Sequence, residues 1–191
     1  MLIAANWKMN LGKSEIDQFS KILQSNEFHD SLDICIFPPS VYINYLNTRI
    51  KNLPISIGAQ NCHHEFTGPF TGEVSPTSLK DIGCKYVLVG HSERRINNNE
   101  SNLYVQKCTS AAIKSNLIPI LCVGETLKDR ESGKALDFIE KQLIESIPSF
   151  FESIFVAYEP IWSIGTGKIP SPFEIKEMHK HIKQVISSKF N

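Results

Sequence analysis

Polar residues in this chain gather at or just after short apolar runs. Asn6 and Lys8 follow the first run, Gln60 and Asn61 the third, His91 and Glu93 the fourth, and Glu159 the sixth. A carboxylate, an imidazole, a lysine and an amide, without metal-ligand spacing or a nucleotide fingerprint, suit proton abstraction beside a carbonyl. A base takes the proton while donors hold the developing enediolate oxygen. That chemistry calls for no cofactor and no metal. After Glu159 come Pro160, Ile161, Trp162, Ser163, Ile164, Gly165, Thr166, Gly167 and Lys168. An apolar middle between a proline and a glycine pair reads as a lid hinged at its ends, with Trp162 and Ile164 excluding water on closing.

These residues need a scaffold that brings several strand ends to one place. The chain alternates short β-branched runs with longer segments of helical periodicity, the pattern of parallel strands joined by crossover helices. Strands are expected at Leu2 to Trp7, Asp33 to Phe37, Ile55 to Gln60, Tyr86 to Val89, Leu117 to Val123 and Ile154 to Ala157. Helices are expected at Ser14 to Phe28, Ser40 to Arg49, Ser78 to Gly83, Glu100 to Ser115, Glu131 to Ile147 and Ser171 to Ser187. Ser171 followed by Pro172, with Glu174 in the same turn, marks the start of the last helix. Alternation alone leaves an open doubly wound sheet and a closed β/α-barrel in competition. Convergence of the first, fourth and sixth strand ends on one small site favours the barrel, whose strand ends share one mouth. The expected fold class is therefore α/β, a (β/α)8-type barrel with six βα units present, in one domain over residues 1–191.

Composition excludes several other functions. Twenty lysines and arginines balance twenty aspartates and glutamates, so no basic excess exists to hold nucleic acid or an anionic membrane. No apolar run approaches membrane-spanning length, and the N-terminal run is too short for a signal peptide. Five scattered cysteines without a CxxC pair fit neither a disulfide framework nor a zinc site, and a reducing cytoplasm is the simplest home. Three motifs fail on inspection. Gly165-Thr166-Gly167-Lys168 lacks the first glycine of a P-loop and has Ile169 where a hydroxyl should bind magnesium. His63-His64-Glu65 lacks zinc spacing and reads as a surface loop, and Asn99-Glu100-Ser101 is a sequon without relevance in cytoplasm.

Taken singly, each site residue also has a plainer reading. Glu159 could be a solvated loop charge and His91 a structural histidine. Lys8 could cap carbonyls or present its charge to a phosphate. Glu93 could pair with Arg94, Arg95 or Lys8, and Cys122 reads as packing rather than as a nucleophile.

Three motifs in register decide between these readings: Ala4-Ala5-Asn6-Trp7-Lys8-Met9-Asn10, Gly90-His91-Ser92-Glu93-Arg94-Arg95, and Ala157-Tyr158-Glu159-Pro160 with its lid. With them the chain resembles the triosephosphate isomerase family along its whole length. The resemblance implies that Glu159 is the base and that His91 is the electrophile that shuttles protons between the two oxygens. It implies that Asn6 and Lys8 stabilise oxyanion and phosphate, and that Gly165 of the lid also meets the substrate. The substrate would be a small phosphorylated triose, interconverted between dihydroxyacetone phosphate and glyceraldehyde 3-phosphate. In that family the histidine is held neutral by a helix N-terminus. Here Ser92, Glu93 and Arg94 could open such a helix directly after His91. Gly58 to Asn61 and Gly68 to Glu73 also resemble the family, which implies a homodimer through the loop Phe66 to Val74. The family barrel has eight units, so this chain is read as truncated at its C-terminus by two, leaving the edges of the first and sixth strands unpaired. A rival expectation is a catalytically inactive truncated barrel that acts as a binding module. The intact base, electrophile and lid argue for the isomerase.

Overall fold

In the computed structural model, which describes residues 1–29, 31–151 and 154–190, strands and helices alternate along the chain. In order they are β1 (Leu2–Asn6), α1 (Lys13–Gln24), β2 (Asp33–Phe37), α2 (Ile43–Ile50), β3 (Ile55–Ala59), α3 (Pro76–Asp81), β4 (Tyr86–Val89) and α4 (Ser92–Asn97). There follow α5 (Asn102–Lys114), β5 (Ile118–Val123), α6 (Leu127–Glu131), α7 (Ala135–Ser146), β6 (Phe155–Tyr158) and α8 (Pro172–Lys189). All six expected strands form, each within one residue of its expected ends.

Two compact units contain these elements: residues 1–88 with 111–119, and residues 89–110 with 120–191. In the first, β1 pairs parallel to β2 over five residues, Leu2 opposite Asp33 through Asn6 opposite Phe37. β2 pairs parallel to β3, and β3 to β4 through Gly58 opposite Tyr86 and Ala59 opposite Val87. The start of β5 joins there, the Ile118 N–H donating to the Lys85 carbonyl at 2.9 Å. Helix α1 lies against α2, where the Gln24 amide donates to the Arg49 carbonyl at 2.8 Å and Tyr45 Oη donates to Asp17 at 2.9 Å. Phe37, Ile16, Leu46 and Ile50 fill this unit's core. A parallel strand feeding a crossover helix is buried on both faces, and for that reason Cys35, Ile36 and Phe37 run consecutively buried.

In the second unit the rest of β5 pairs parallel to β6, Ile120 opposite Phe155 through Val123 opposite Tyr158. Leu121, Ile139, Leu143 and Met178 are its largest buried side chains. Helix α7 meets α8, with His181 Nε2 3.1 Å from the Leu136 carbonyl. The start of α8 is as expected: Ser171 Oγ accepts from the Glu174 N–H, and Glu174 accepts in return from the Ser171 N–H at 2.7 Å.

Several helix limits differ from the sequence-based expectation. The helix expected over Ser14 to Phe28 stops at Gln24, and the one expected from Ser40 opens with a 3-10 turn over Ser40–Tyr42. The helix expected over Glu131 to Ile147 runs from Ala135 to Ser146, and a short helix not expected from the sequence precedes it. Thr126 and Asp129 form a capping box that starts α6 at Leu127, and Gly133, at φ +71°, ends that helix before α7 begins. All five cysteines are buried and outside any disulfide. Burial pushes the Cys84 thiol up to about 12 and Cys35 higher still, so both stay protonated and pack as small apolar groups.

Phe37 is fully buried at the end of β2, so Phe37→Ala should lower unfolding free energy by about 3–5 kcal/mol, the usual cost of removing a core aromatic ring. Urea titration followed by circular dichroism measures it. A loss near zero would mean that Phe37 is not part of a packed core.

Candidate active site

The loop after β4 sets the imidazole. Gly90, at φ +68°, turns the chain as only glycine does easily, and a Cβ there would fall 2.7 Å from Arg95 Nη2 and 2.8 Å from Val105. His91 then caps α4: its Nδ1 accepts from the Glu93 N–H at 3.2 Å. An accepting Nδ1 in a neutral ring places the proton on Nε2. Nε2 lies 3.0 Å from Glu159 Oε2, with the two side chains 12% and 17% exposed. The pair is shielded yet open to a ligand.

Glu159 is fixed by β6 and its neighbour. Its N–H donates to the Val123 carbonyl at 2.8 Å, which extends the β5–β6 ladder one residue past the strand. Its carbonyl lies so close to Gly124 that a Cβ there would sit 1.9 Å from the oxygen. No other residue fits at 124. The Gly124 N–H is held in turn by buried Gln142, whose Oε1 accepts at 2.9 Å. Glu159 Oε1 accepts from the Ser92 N–H at 2.7 Å, a first-turn amide of α4 without a helical partner of its own. Both carboxylate oxygens therefore have donors.

The segment expected to form a lid, Pro160 to Lys168, is tied by local hydrogen bonds. Ile161–Ser163 form a 3-10 turn, Ser163 Oγ donates to the Pro160 carbonyl at 2.9 Å, and Thr166 Oγ1 donates to the Trp162 carbonyl at 2.8 Å. Trp162, expected only to exclude water, donates its indole N–H to Glu125 Oε1 at 2.8 Å. Glu125 is 0% exposed. The same oxygen accepts from Arg130 Nε and Tyr158 Oη at 3.0 Å each, whereas Oε2 is buried without a hydrogen-bond partner among the described residues. Arg130 Nη2 also donates to Tyr158 Oη at 2.8 Å. Burial, with the Glu125 charge adding to it, pushes the Tyr158 phenol far above its ordinary range.

Asn6 and Lys8 belong to the first unit. Lys8 takes φ +53°, a left-handed conformation unusual for a side chain with a Cβ. Two amides hold it there: Asn6 Oδ1 accepts from the Lys8 N–H at 2.9 Å, and Gln60 Nε2 donates to the Lys8 carbonyl at 2.8 Å. A residue held in a strained conformation by its neighbours is a common sign of a functional position.

The structure thus joins His91 with Glu159, and Asn6 with Lys8. Cys122 is buried, and burial together with the Glu159 charge pushes its thiol far up, so it packs as expected. Arg94 pairs with Glu100 at 2.7 Å, and Glu93 sits 3.7 Å from His91 Nδ1. Sequence reasoning missed Gly124, Glu125 and Arg130. Glu125 had the same signal as the residues that were found, a charge just past a strand end. Among the described residues no group of three or more histidines, cysteines or acids could hold a metal ion, and no helix is long and apolar enough to cross a membrane.

A protein-family model described as triosephosphate isomerase matches residues 1–191. The chain is 40% identical to a Finegoldia magna protein of that name, over all of this chain and 78% of the relative. It is 38% identical to the Pseudomonas putida protein of that name, over 98% of this chain and 77% of the relative. The crystal structure of triosephosphate isomerase from Bartonella henselae matches with a TM-score of 0.88 and 34% identity, covering 99% of this chain and 76% of that one. These strands and helices are therefore those of a TIM-barrel fold, with six βα units present.

The Glu125 cluster yields two expectations. Glu125→Leu leaves the partly buried Arg130 with only the longer ion pair to Glu174 at 4.0 Å and frees Trp162, so stability should fall by about 1–3 kcal/mol and indole emission, read in a Trp7→Phe background, should shift red. Unchanged emission would show that Glu125 does not hold the lid. The second concerns alkaline pH. The folded phenol of Tyr158 holds its proton above the unfolded value of about 10, so the unfolded chain binds fewer protons there and stability falls as pH rises. Tyr158→Phe should flatten that fall in alkaline denaturation curves, and an identical slope would contradict the assignment.

Proposed function

Since the chain belongs to the triosephosphate isomerase family, we propose that it interconverts dihydroxyacetone phosphate and D-glyceraldehyde 3-phosphate, without a cofactor, by proton transfer through an enediolate. The observation that carries this reading is the contact of His91 Nε2 with the Glu159 carboxylate at 3.0 Å, in which a neutral donor faces a base.

The reaction needs both groups on one substrate. Glu159 removes a proton from C1 of the ketone, the C–H electron pair becomes the enediolate double bond, and Nε2–H of His91 protonates the C2 oxygen. The imidazole then recovers a proton from the C1 hydroxyl, and Glu159 returns its proton to C2, which leaves the aldehyde. At 3.0 Å the two side chains leave no room for a substrate atom between them, so Glu159 must swing off His91 when substrate enters. The Ser92 N–H supports the carboxylate in the resting position.

Lys8 and Asn6 fit the roles of cation and amide for oxyanion and phosphate. The strained Lys8 backbone is what their positioning would require. Gly165 and the lid from Pro160 to Lys168 cover the bound triose, and the Trp162 bond to Glu125 gives the lid a defined resting state. Pairing of two chains through Phe66 to Val74 belongs to the same reading. That loop is closed on itself, Ser75 Oγ donating to the Phe66 carbonyl at 2.6 Å, and it leaves Phe70 40% exposed. Five buried thiols suit the reducing cytoplasm in which glycolysis and gluconeogenesis run.

A coupled assay of glyceraldehyde 3-phosphate turnover tests the proposal. Glu159→Gln should reduce kcat by at least about a thousandfold with a smaller change in KM, because it removes a group that acts in the transition state. Undiminished turnover in that variant, or none in the folded parent protein, would overturn it.

A further inference from the structure

Arg95 makes four side-chain hydrogen bonds in the second unit, and the reaction outlined above gives it no role. Its Nε donates to the Gly90 carbonyl and its Nη1 to Asn102 Oδ1, both at 2.6 Å. Nη2 reaches the Cys122 carbonyl and Ser146 Oγ at 3.4 Å each. Asn102 carries the link onward to α7, donating to Glu145 Oε2 at 2.8 Å. A single planar fork thus holds the peptide before His91 and the end of β5, next to Val123, whose carbonyl receives the Glu159 N–H.

We propose that Arg95 is the positioning residue of the His91–Glu159 pair: it fixes the loop of one against the strand end of the other, and its charge acts on the Glu159 carboxylate. Three observations converge on this. The Gly90 turn leaves room for the guanidinium where any Cβ would collide with it. The hydrogen bonds of the guanidinium go to carbonyl, amide and hydroxyl oxygens, so a half-buried positive charge is left without a carboxylate in contact among the described hydrogen bonds and ion pairs. The Glu159 charge also lies within electrostatic reach: burial holds Arg95 below its ordinary value, while Cys122, Glu100 and Glu159 oppose that shift. By reciprocity the arginine favours the ionised form of Glu159. Titratable groups near the carboxylate include His91 in contact, Glu93 at 3.7 Å from the His91 ring, and Cys122. On the arginine side stand Glu100, itself paired with Arg94, and Glu145 beyond Asn102. A lysine could keep the charge but not the fork.

The proposal rests on the reading of Glu159 as the base, and its test does not depend on turnover. In protein labelled with 13C at glutamate Cδ, the Glu159 signal is identified by its loss in Glu159→Gln and titrated in the parent, Arg95→Gln and Arg95→Lys. Removing a nearby positive charge destabilises a carboxylate, so Arg95→Gln should raise the midpoint by at least about half a pH unit, whereas Arg95→Lys should leave it nearly unchanged. Both variants should lose kcat by about tenfold or more, with KM affected less. An unmoved midpoint in Arg95→Gln, or equal shifts in both variants, overturns the proposal. If Arg95→Gln does not fold, the Arg95 Nε–H resonance of the parent protein is followed instead. It should move through the Glu159 titration, and a resonance that stays fixed is the contrary result. Absence of turnover in the parent protein would count against the isomerase reading alone.

Discussion

The contact between the end of β5 and the start of the loop after β6 governs the candidate site. Gly124 has no side chain, so the Glu159 carbonyl can lie where a Cβ would be, and the Val123 carbonyl can take the Glu159 N–H. Backbone geometry, rather than the glutamate side chain, therefore decides where the carboxylate begins. A substitution that pushed the strand ends apart by a single methyl group would displace the Glu159 carboxylate from His91.

From that constraint the rest of the second unit follows in layers. Gln142 on α7 secures the Gly124 amide, and Glu125, one residue on, gathers Arg130, Tyr158 and Trp162 around one oxygen. Strand, helix and the Trp162 loop thus meet within two residues of the same turn. A buried carboxylate whose second oxygen has no hydrogen-bond partner among the described residues is a costly way to hold Trp162, because desolvation opposes every charge removed from water.

Much of this was legible in the sequence for a definite reason. Strand ends announce themselves by the switch from β-branched runs to polar residues, and that switch located Asn6, Lys8, His91 and Glu159. Thr126, Asp129, Ser171 and Glu174 have spacings that encode helix starts, although only the second pair was used. What the sequence did not disclose is how the interior charges are divided. Arg94 and Arg95 are adjacent and identical in type, yet one pairs with Glu100 while the other spans four neutral acceptors. Their difference lies in which side of a six-residue helix each leaves, and residue type carries no signal for that. Trp162 was hidden likewise, since an indole reads as apolar until a buried acceptor is placed beside its N–H.

The central claim is that a carboxylate, and not a direct hydride shift, carries hydrogen between neighbouring carbons. Running the reaction in deuterium oxide and recording proton NMR of both trioses distinguishes the two, because a proton held on Glu159 can exchange with solvent before it returns. The account predicts deuterium at the carbon beside the carbonyl of the product. Product formed at the same rate with no deuterium on carbon would contradict it.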